Sequence, residues 1–208
     1  MLHPAASAPP PPEPVVPSRI ETARLLLRPY VPEDGPALFE AVRSSRAELL
    51  PWLPWADRHA TVEASTETCR RLAEAFAART DFTMGMFGRE DGRLLGGTGL
   101  HRVRWAIPAF EIGYWLRADA VGRGYVTEAA QALARTCFED LGAERVEIVC
   151  DPRNERSAAV AERAGFVLEG TLRRAILGAD GTPRDARVYG LVREDWAKGR
   201  GRAAAARG

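Results

Sequence analysis

The sequence predicts an α/β domain in which a mixed sheet is covered by helices. Three observations carry this. Segments of strand-like and helix-like periodicity alternate along the chain in the order βααβββαβαββ, a pattern that builds a sheet with helices packed on it. Hydrophobic residues make up 46% and charged residues 27% of the chain, which is a globular composition. At 208 residues the chain can bury a core without a disulfide or metal to staple it, and one domain is the expectation.

The elements follow in order. Seven of the fifteen prolines fall in the first 17 residues. Proline removes backbone donors and fixes φ, so residues 1–18 are predicted to be an extended, disordered tail. Ala23–Tyr30 (ARLLLRPY) reads as a strand, and Pro32–Ser45 as a helix opened by proline with Leu38, Phe39 and Val42 on one face. A Pro/Trp segment, Pro51–Ala56, separates it from the helical pattern of Thr61–Thr80, whose inner face carries Leu72, Ala73 and Phe76. Phe82–Gly88 and Leu94–Val103 flank the turn signal EDGR, and Ala109–Leu116 completes a meander. A glycine loop leads to a helix over Thr127–Asp140. Arg145–Cys150 is a strand, Glu155–Ala164 a helix, and Phe166 onward another strand. Arg187–Val192 forms the last strand before a turn at Glu194–Trp196. The domain is predicted to span residues 19–197, leaving 198–208, with four basic groups and no acid, as a disordered tail.

Charge and rare residues exclude several classes. A net charge of +1 offers no field for nucleic acid or an anionic membrane. No 18-residue stretch is free of charge, and the N-terminus lacks the basic and apolar regions of a signal peptide. Cys69, Cys137 and Cys150 form no CxxC pair, and the histidines are only His3, His59 and His101, so no metal is expected. The reading is a cytoplasmic, metal-independent protein.

Two stretches carry chemistry. In Trp115–Glu128 (WLRADAVGRGYVTE) a strand runs into a loop with Gly122 and Gly124, then into a helix N-terminus. Such a loop lets backbone amides approach a phosphate, and the helix dipole favours its charge. Thr127 is placed to cap the helix and offer a hydroxyl. No third glycine completes a dinucleotide fingerprint, and no Gly-Lys-Ser/Thr completes a P-loop. In the second stretch, Asp151–Phe166, Asn154 reads as a helix N-cap with Ser157 three residues on.

On these residues the chain resembles the GNAT superfamily of acyl-coenzyme A-dependent N-acyltransferases, within it the RimJ/RimL-like branch. The resemblance runs from about Ile20 to Trp196 and rests on ETARLLLRPY, LLPWLPWA, FEIGYWL, GRGYVTEA and DPRNERSAAVAERAGFVLEGTLR, in that order. It implies a mostly antiparallel sheet of six to seven strands, flanked by about four helices and splayed into a V between Ala109–Leu116 and Arg145–Cys150. It implies acetyl-CoA as donor, its pantetheine against Trp115, Leu116 and Arg117. The pyrophosphate would lie on the amides of Val121, Gly122, Arg123, Gly124, Tyr125 and Val126, beside Thr127. Asn154 would hold the pantetheine and Ser157 would lie near the sulfur as the acid. The chain departs from family patterns at Val121 and Val126 in the loop, at Ala161 where many members carry a tyrosine, and at Ile176 where some relatives have a glutamate.

With Ile176 unable to act as base, Glu111 on the AFEIGYWL strand is the first candidate, with His101 or water as alternatives. A base is needed because a protonated amine cannot attack a thioester, and a positioned one contributes about 10²–10⁴-fold. A strand amide near Ile112–Tyr114 would hold the oxyanion. Trp52, Trp55, Trp105, Tyr114 and His101 are the predicted acceptor-pocket residues. The function read from this is direct acetyl transfer to a primary amine, a protein or peptide N-terminus of ribosomal-protein type. A small amine, an amino acid or an amine antibiotic is the alternative acceptor, and a non-catalytic acyl-CoA-binding module the alternative class. A homodimer is common in the branch.

Overall fold

The computed structural model describes residues 14–205, with side chains described through residue 199. Eight strands form one sheet: β1 (Ile20–Glu21), β2 (Leu25–Pro29), β3 (Phe82–Gly88), β4 (Leu94–Arg104), β5 (Ala109–Leu116), β6 (Arg145–Cys150), β7 (Val167–Leu177) and β8 (Pro183–Val192). Their order is β1-β2-β3-β4-β5-β6-β8-β7, and every neighbouring pair is antiparallel except β5 with β6. The helices are α1 (Gly35–Arg43), α2 (Arg46–Leu49), α3 (Val62–Ala77), α4 (Tyr125–Glu139), α5 (Glu155–Arg163) and α6 (Arg193–Ala205).

Strand alternation divides the apolar residues between two cores. Leu25, Leu27, Phe82, Met84, Met86, Leu100, Phe110 and Ile112 face α4, whose Ala129, Ala130, Leu133, Ala134 and Cys137 are fully buried. Small side chains on that helix let it lie close against the sheet. On the opposite face Tyr30, Leu38, Val42, Leu49 and Cys69 pack under α1 and α3. Thr61 starts α3 by accepting from the Ala64 amide at 3.2 Å.

The parallel pair positions the site. β5 and β6 are in register only at Ala109↔Arg145, Phe110↔Val146 and Glu111↔Glu147. Past Glu111 the two strands separate, so the sheet is splayed into the V that the resemblance implied.

The structure departs from the sequence reading in five places. Among the described residues there are eight strands rather than six to seven, because the two-residue β1 adds an edge. The same residues form six α-helices rather than four, because α2 and α6 were not foreseen. The predicted turn at Glu194–Trp196 lies inside α6. That helix is anchored by Trp196 stacked on Phe138 at 5.5 Å and by Arg193 Nε on Glu144 Oε1 at 2.9 Å, and it runs on through Ala205 into the predicted C-terminal tail. At the other end, Val16 falls within the predicted N-terminal tail yet is buried in the main core, and Arg79 Nη2 bonds the Pro14 carbonyl at 2.7 Å. The helix predicted from Thr127 starts two residues earlier, at Tyr125. The rest of the two predicted tails, residues 1–13 and 206–208, lies outside the described residues.

Candidate active site

Where β5 and β6 part, a cleft of about 1260 Å³ opens between them, walled by the N-terminal turns of α4 and α5 and by the 48–53 segment. β5 has no strand partner on this side beyond Glu111, so alternate backbone groups of Ile112–Leu116 face the cleft, ready for a ligand. Val121, Gly122, Arg123, Gly124, Tyr125, Val126 and Thr127 form the other end.

The loop geometry explains its two glycines. Gly122 (φ +84°) and Gly124 (φ +80°) are left-handed, a conformation that costs other residues about 1–2 kcal/mol. Gly124 is the N-cap of α4. Among the described residues, the amides of Gly122, Arg123 and Gly124 have no backbone acceptor, and those of Tyr125–Thr127 are the unpaired first turn of the helix. The loop is clipped in place from β2. Arg24 donates to the Arg123 carbonyl at 2.8 Å and to Glu128 Oε2 at 2.7 Å, and its guanidinium lies 4.6 Å from the Tyr125 ring centroid.

Thr127 was expected to cap this helix, but Gly124 occupies that position. The Thr127 hydroxyl is instead buried in the cleft wall and, among the described residues, has no hydrogen-bond partner. A buried unpaired hydroxyl beside a left-handed amide cradle fits a phosphate-bearing ligand such as coenzyme A.

Trp115 and Leu116 line the cleft, but Arg117 does not. Its side chain is buried away from it, paired through Nη1 and Nη2 with Glu40 and through Nε with Asp119 at 3.1 Å. Its amide is used too, donating to the Leu95 carbonyl at 2.9 Å. Arg117 therefore locks the end of β5 to α1 rather than presenting a donor to the ligand.

Asn154 serves as the α5 cap, its Oδ1 accepting from the Ser157 amide at 3.1 Å. Its side-chain nitrogen, without a partner among the described residues, borders the cleft. Ser157 Oγ lies 2.9 Å from the Tyr114 hydroxyl, which also donates to the Ser157 carbonyl at 3.1 Å. Tyr114, predicted as an acceptor-pocket residue, thus joins Ser157 across the V. Burial pushes its phenol well above the ordinary value, the Ser157 hydrogen bond opposing. Cys150 lies nearby with its thiol pushed up by burial, so it is no nucleophile.

Glu111 stands at the apex of the V. Its Oε2 is buried and, among the described residues, lacks a hydrogen bond; Arg102 Nε is 3.3 Å away, close enough for Coulomb attraction but misaligned for donation. Burial raises the Glu111 pKa, Arg102 opposes that, and Glu147 reinforces it. Arg102 itself sits at φ +47° in an irregularity of β4 between His101 and Arg104, opposite Glu111. His101 is the direct cross-strand neighbour of Glu111, so both side chains leave the same face of the sheet. His101 Nδ1 is 2.8 Å from Asp81 Oδ2. Burial works against the Asp81 carboxylate, but hydrogen bonds from His101 and Thr83 outweigh it and hold its pKa below the ordinary value.

That face carries a second cavity of about 400 Å³, under α1 and α3, lined among others by Trp55, His101, Gly113, Tyr114 and Trp115. It shares Gly113, Tyr114 and Trp115 with the first cleft as a common wall. Trp55 stands edge-on to Trp115 at 5.7 Å and to His59 at 5.6 Å. Trp52 is part-exposed and borders the first cleft instead. Trp105 borders neither: it packs edge-on against Phe110 at 5.4 Å, which corrects its assignment to the acceptor pocket. The sequence reading missed Arg58, His59, Thr68 and Arg71 in this cavity. The available signal was on α3, where Thr68, Arg71 and Leu72 share one face and polar residues interrupt the apolar stripe.

Known proteins share this fold. A family described as "Acetyltransferase (GNAT) domain" matches residues 24–167. YdaF of Bacillus subtilis (strain 168), provisionally named a ribosomal N-acetyltransferase, is 31% identical over 173 residues, 83% of this chain and 93% of that one. The ribosomal-protein-serine acetyltransferase of Escherichia coli (strain K12) is 37% identical over 92 residues, 44% of this chain and 51% of that one. The solved structure of Mycobacterium smegmatis RimJ with CoA-disulfide superposes with a TM-score of 0.77 at 27% identity, covering 88% of this chain and 91% of that one. With the family matched over well over half its length, and its V-shaped sheet and glycine loop in place, this chain belongs to the GNAT acetyltransferases, related to the RimJ and RimL ribosomal-protein enzymes.

Proposed function

We propose that this enzyme transfers acetyl from acetyl-CoA directly to a primary amine presented by a protein or peptide N-terminus. The observation that carries the reading is a pair of cavities that share Gly113–Trp115 as a common wall, one with an amide cradle for a phosphate-bearing donor, the other on the opposite face of β5. A donor and an acceptor approaching from opposite faces of one strand need no acyl-enzyme. Acetyl-CoA supplies the thioester.

The chain's residues supply the rest. The amides of residues 122–127 and the Thr127 hydroxyl hold the phosphates, and Asn154 with the free edge of β5 orients the pantetheine arm. Glu111 accepts the proton that the amine must lose, directly or through a water. The amine nitrogen then forms its bond to the acyl carbon while a β5 amide near Ile112–Tyr114 stabilises the oxyanion. As the carbon–sulfur bond breaks, the Ser157–Tyr114 hydroxyl pair returns a proton to the sulfur. His101, oriented by Asp81, lies on the acceptor side, where it positions the amine beside Glu111. Thiol release measured on a panel of N-terminal peptides, lysine peptides and small amines tests the reading. N-terminal peptides should be the best acceptors, and selective use of lysine side chains would overturn the assignment.

A further inference from the structure

The second cavity has a charge pattern that nothing in the transfer chemistry requires. Among its lining residues are two arginines and two histidines but no aspartate or glutamate. Arg58 and Arg71 are both exposed at its mouth. Neither is paired with an acid among the described residues, whereas Arg46, Arg70 and Arg117 all are. The acid next to Arg58, Asp57, is already taken by Arg46. At the inner end Glu111 lines the first cleft rather than this cavity, and Asp81 is held by His101 and Thr83. Deeper in, the walls are Trp55, Trp115, Tyr30 and Leu72, with the hydroxyls of Thr68, Thr83 and Thr98 between them. Thr98 is itself spent on the Gly113 carbonyl at 2.9 Å.

Such a cavity repels a cationic acceptor unless something else on that acceptor neutralises the arginines. A lysine-rich or arginine-rich peptide would bring its charge against two unpaired guanidinium groups. The amine must nonetheless reach Gly113, which lines both cavities and lies against the His101 ring. An acceptor with the amine at one end and an anion behind it satisfies both demands, the amine inside and the anion at the mouth. Arginine is well suited to that anion, because its planar fork bonds a carboxylate or phosphate through two parallel donors.

We infer that the acceptor is an amine carrying its own carboxylate or phosphate, recognised by Arg58 and Arg71 at the mouth of the second cavity. This rests on the acetyl-transfer reading and specifies its substrate class. The anion has two sources, an acidic side chain close behind a peptide N-terminus, or the acid group of a small amino acid or phosphorylated amine.

Steady-state kinetics on isosteric pairs test it. In the peptide arm, acceptors with Asp or Glu at the second to fourth positions are compared with their Asn or Gln counterparts. In the small-molecule arm, amino acids are compared with their amides. The wild-type enzyme should favour the anionic member of at least one arm by about tenfold or more in kcat/KM, and the preference should shrink as ionic strength rises. The arm that shows the preference identifies the source. In the Arg58→Gln/Arg71→Gln double variant that ratio should fall toward one, and Arg58→Lys/Arg71→Lys should recover part of it. Equal use of charged and neutral partners by the wild type would overturn the inference while leaving acetyl transfer standing. Release of no thiol with any amine would instead remove the reading beneath it.

Discussion

Replacing Glu111 by glutamine separates a base from a structural carboxylate, because activity and stability should move in opposite directions. Loss of a positioned base at neutral pH should cost about 10²-fold or more in kcat/KM, which corresponds to about 2.7 kcal/mol of barrier. The ratio of wild-type to variant rates should be widest between the raised Glu111 pKa and the pKa of the amine. Below that window Glu111 carries its own proton and the wild type slows as well; above it the amine is already neutral and solvent suffices. Stability carries the independent sign. A carboxyl whose pKa is raised in the folded protein favours folding while it is protonated, below its unfolded pKa. That contribution is lost as pH rises through the folded pKa. Above its folded pKa the wild type carries a buried charge with an unsatisfied Oε2, and there the Glu111→Gln protein, without that charge, should melt higher. The two proteins should converge in stability below about pH 4, where both side chains are neutral. The assays are thiol release across about pH 5.5–9 and thermal melts from about pH 3.5 to about pH 9. Normal turnover of Glu111→Gln at pH about 6.5 would refute the base assignment. A lower melting temperature at neutral pH would show that the carboxylate holds the structure together.

Acetyl-CoA at about 100 times its Kd should stabilise the protein by roughly 2.7 kcal/mol in thermal melts, and Gly124→Val should abolish the shift by forcing a β-branched residue into a left-handed position. Ser157→Ala and Tyr114→Phe should each slow turnover about tenfold, and the double variant little further, since the two hydroxyls act as one pair; additive losses in single-turnover rates would separate them. Deletion through Pro17 should cost about 1.5 kcal/mol more than deletion through Glu13, a difference of about 3–6 °C in Tm, because only the longer cut removes buried Val16. Trp105→Ala should lower Tm without raising the amine KM, whereas Trp55→Ala should raise KM; the reverse pattern would restore Trp105 to the pocket.

What the sequence made legible is what local pattern encodes. The FEIGYWL alternation, the two glycines before α4 and the Asn154 cap are each set by neighbours within a few residues, so spacing alone exposed them. Val16 escaped because a single valine among prolines has no periodicity, and its burial depends on a sheet assembled from residues far along the chain. α6 escaped because its apolar stripe is a single residue, Trp196, whose partner Phe138 is in another helix. Arg117 was misread because strand-to-loop position predicts where a backbone runs, not that Glu40, 77 residues away, would take the guanidinium. His101 on β4 and Asp81 just before β3 are twenty residues apart, and no spacing rule joins them.

The alternation of β5 accounts for how one strand serves two substrates. Phe110, Ile112 and Tyr114 point toward α4, so Tyr114 reaches Ser157 on the donor side. Glu111 and Trp115 lie on the other face with His101, and Gly113 stands between them, lining both cavities. A Cβ at Gly113 would lie 2.9 Å from the His101 ring, so glycine there leaves room for that ring. A one-residue slip in the β4–β5 register would reverse every one of these assignments. The register is held at the loop end by the Arg117 amide on Leu95 and by the Arg117 side chain on Glu40, and at the apex by the pairing of Ala109–Glu111 with β6. Arg117 touches neither cavity, yet it helps decide which side chains face the donor and which face the acceptor.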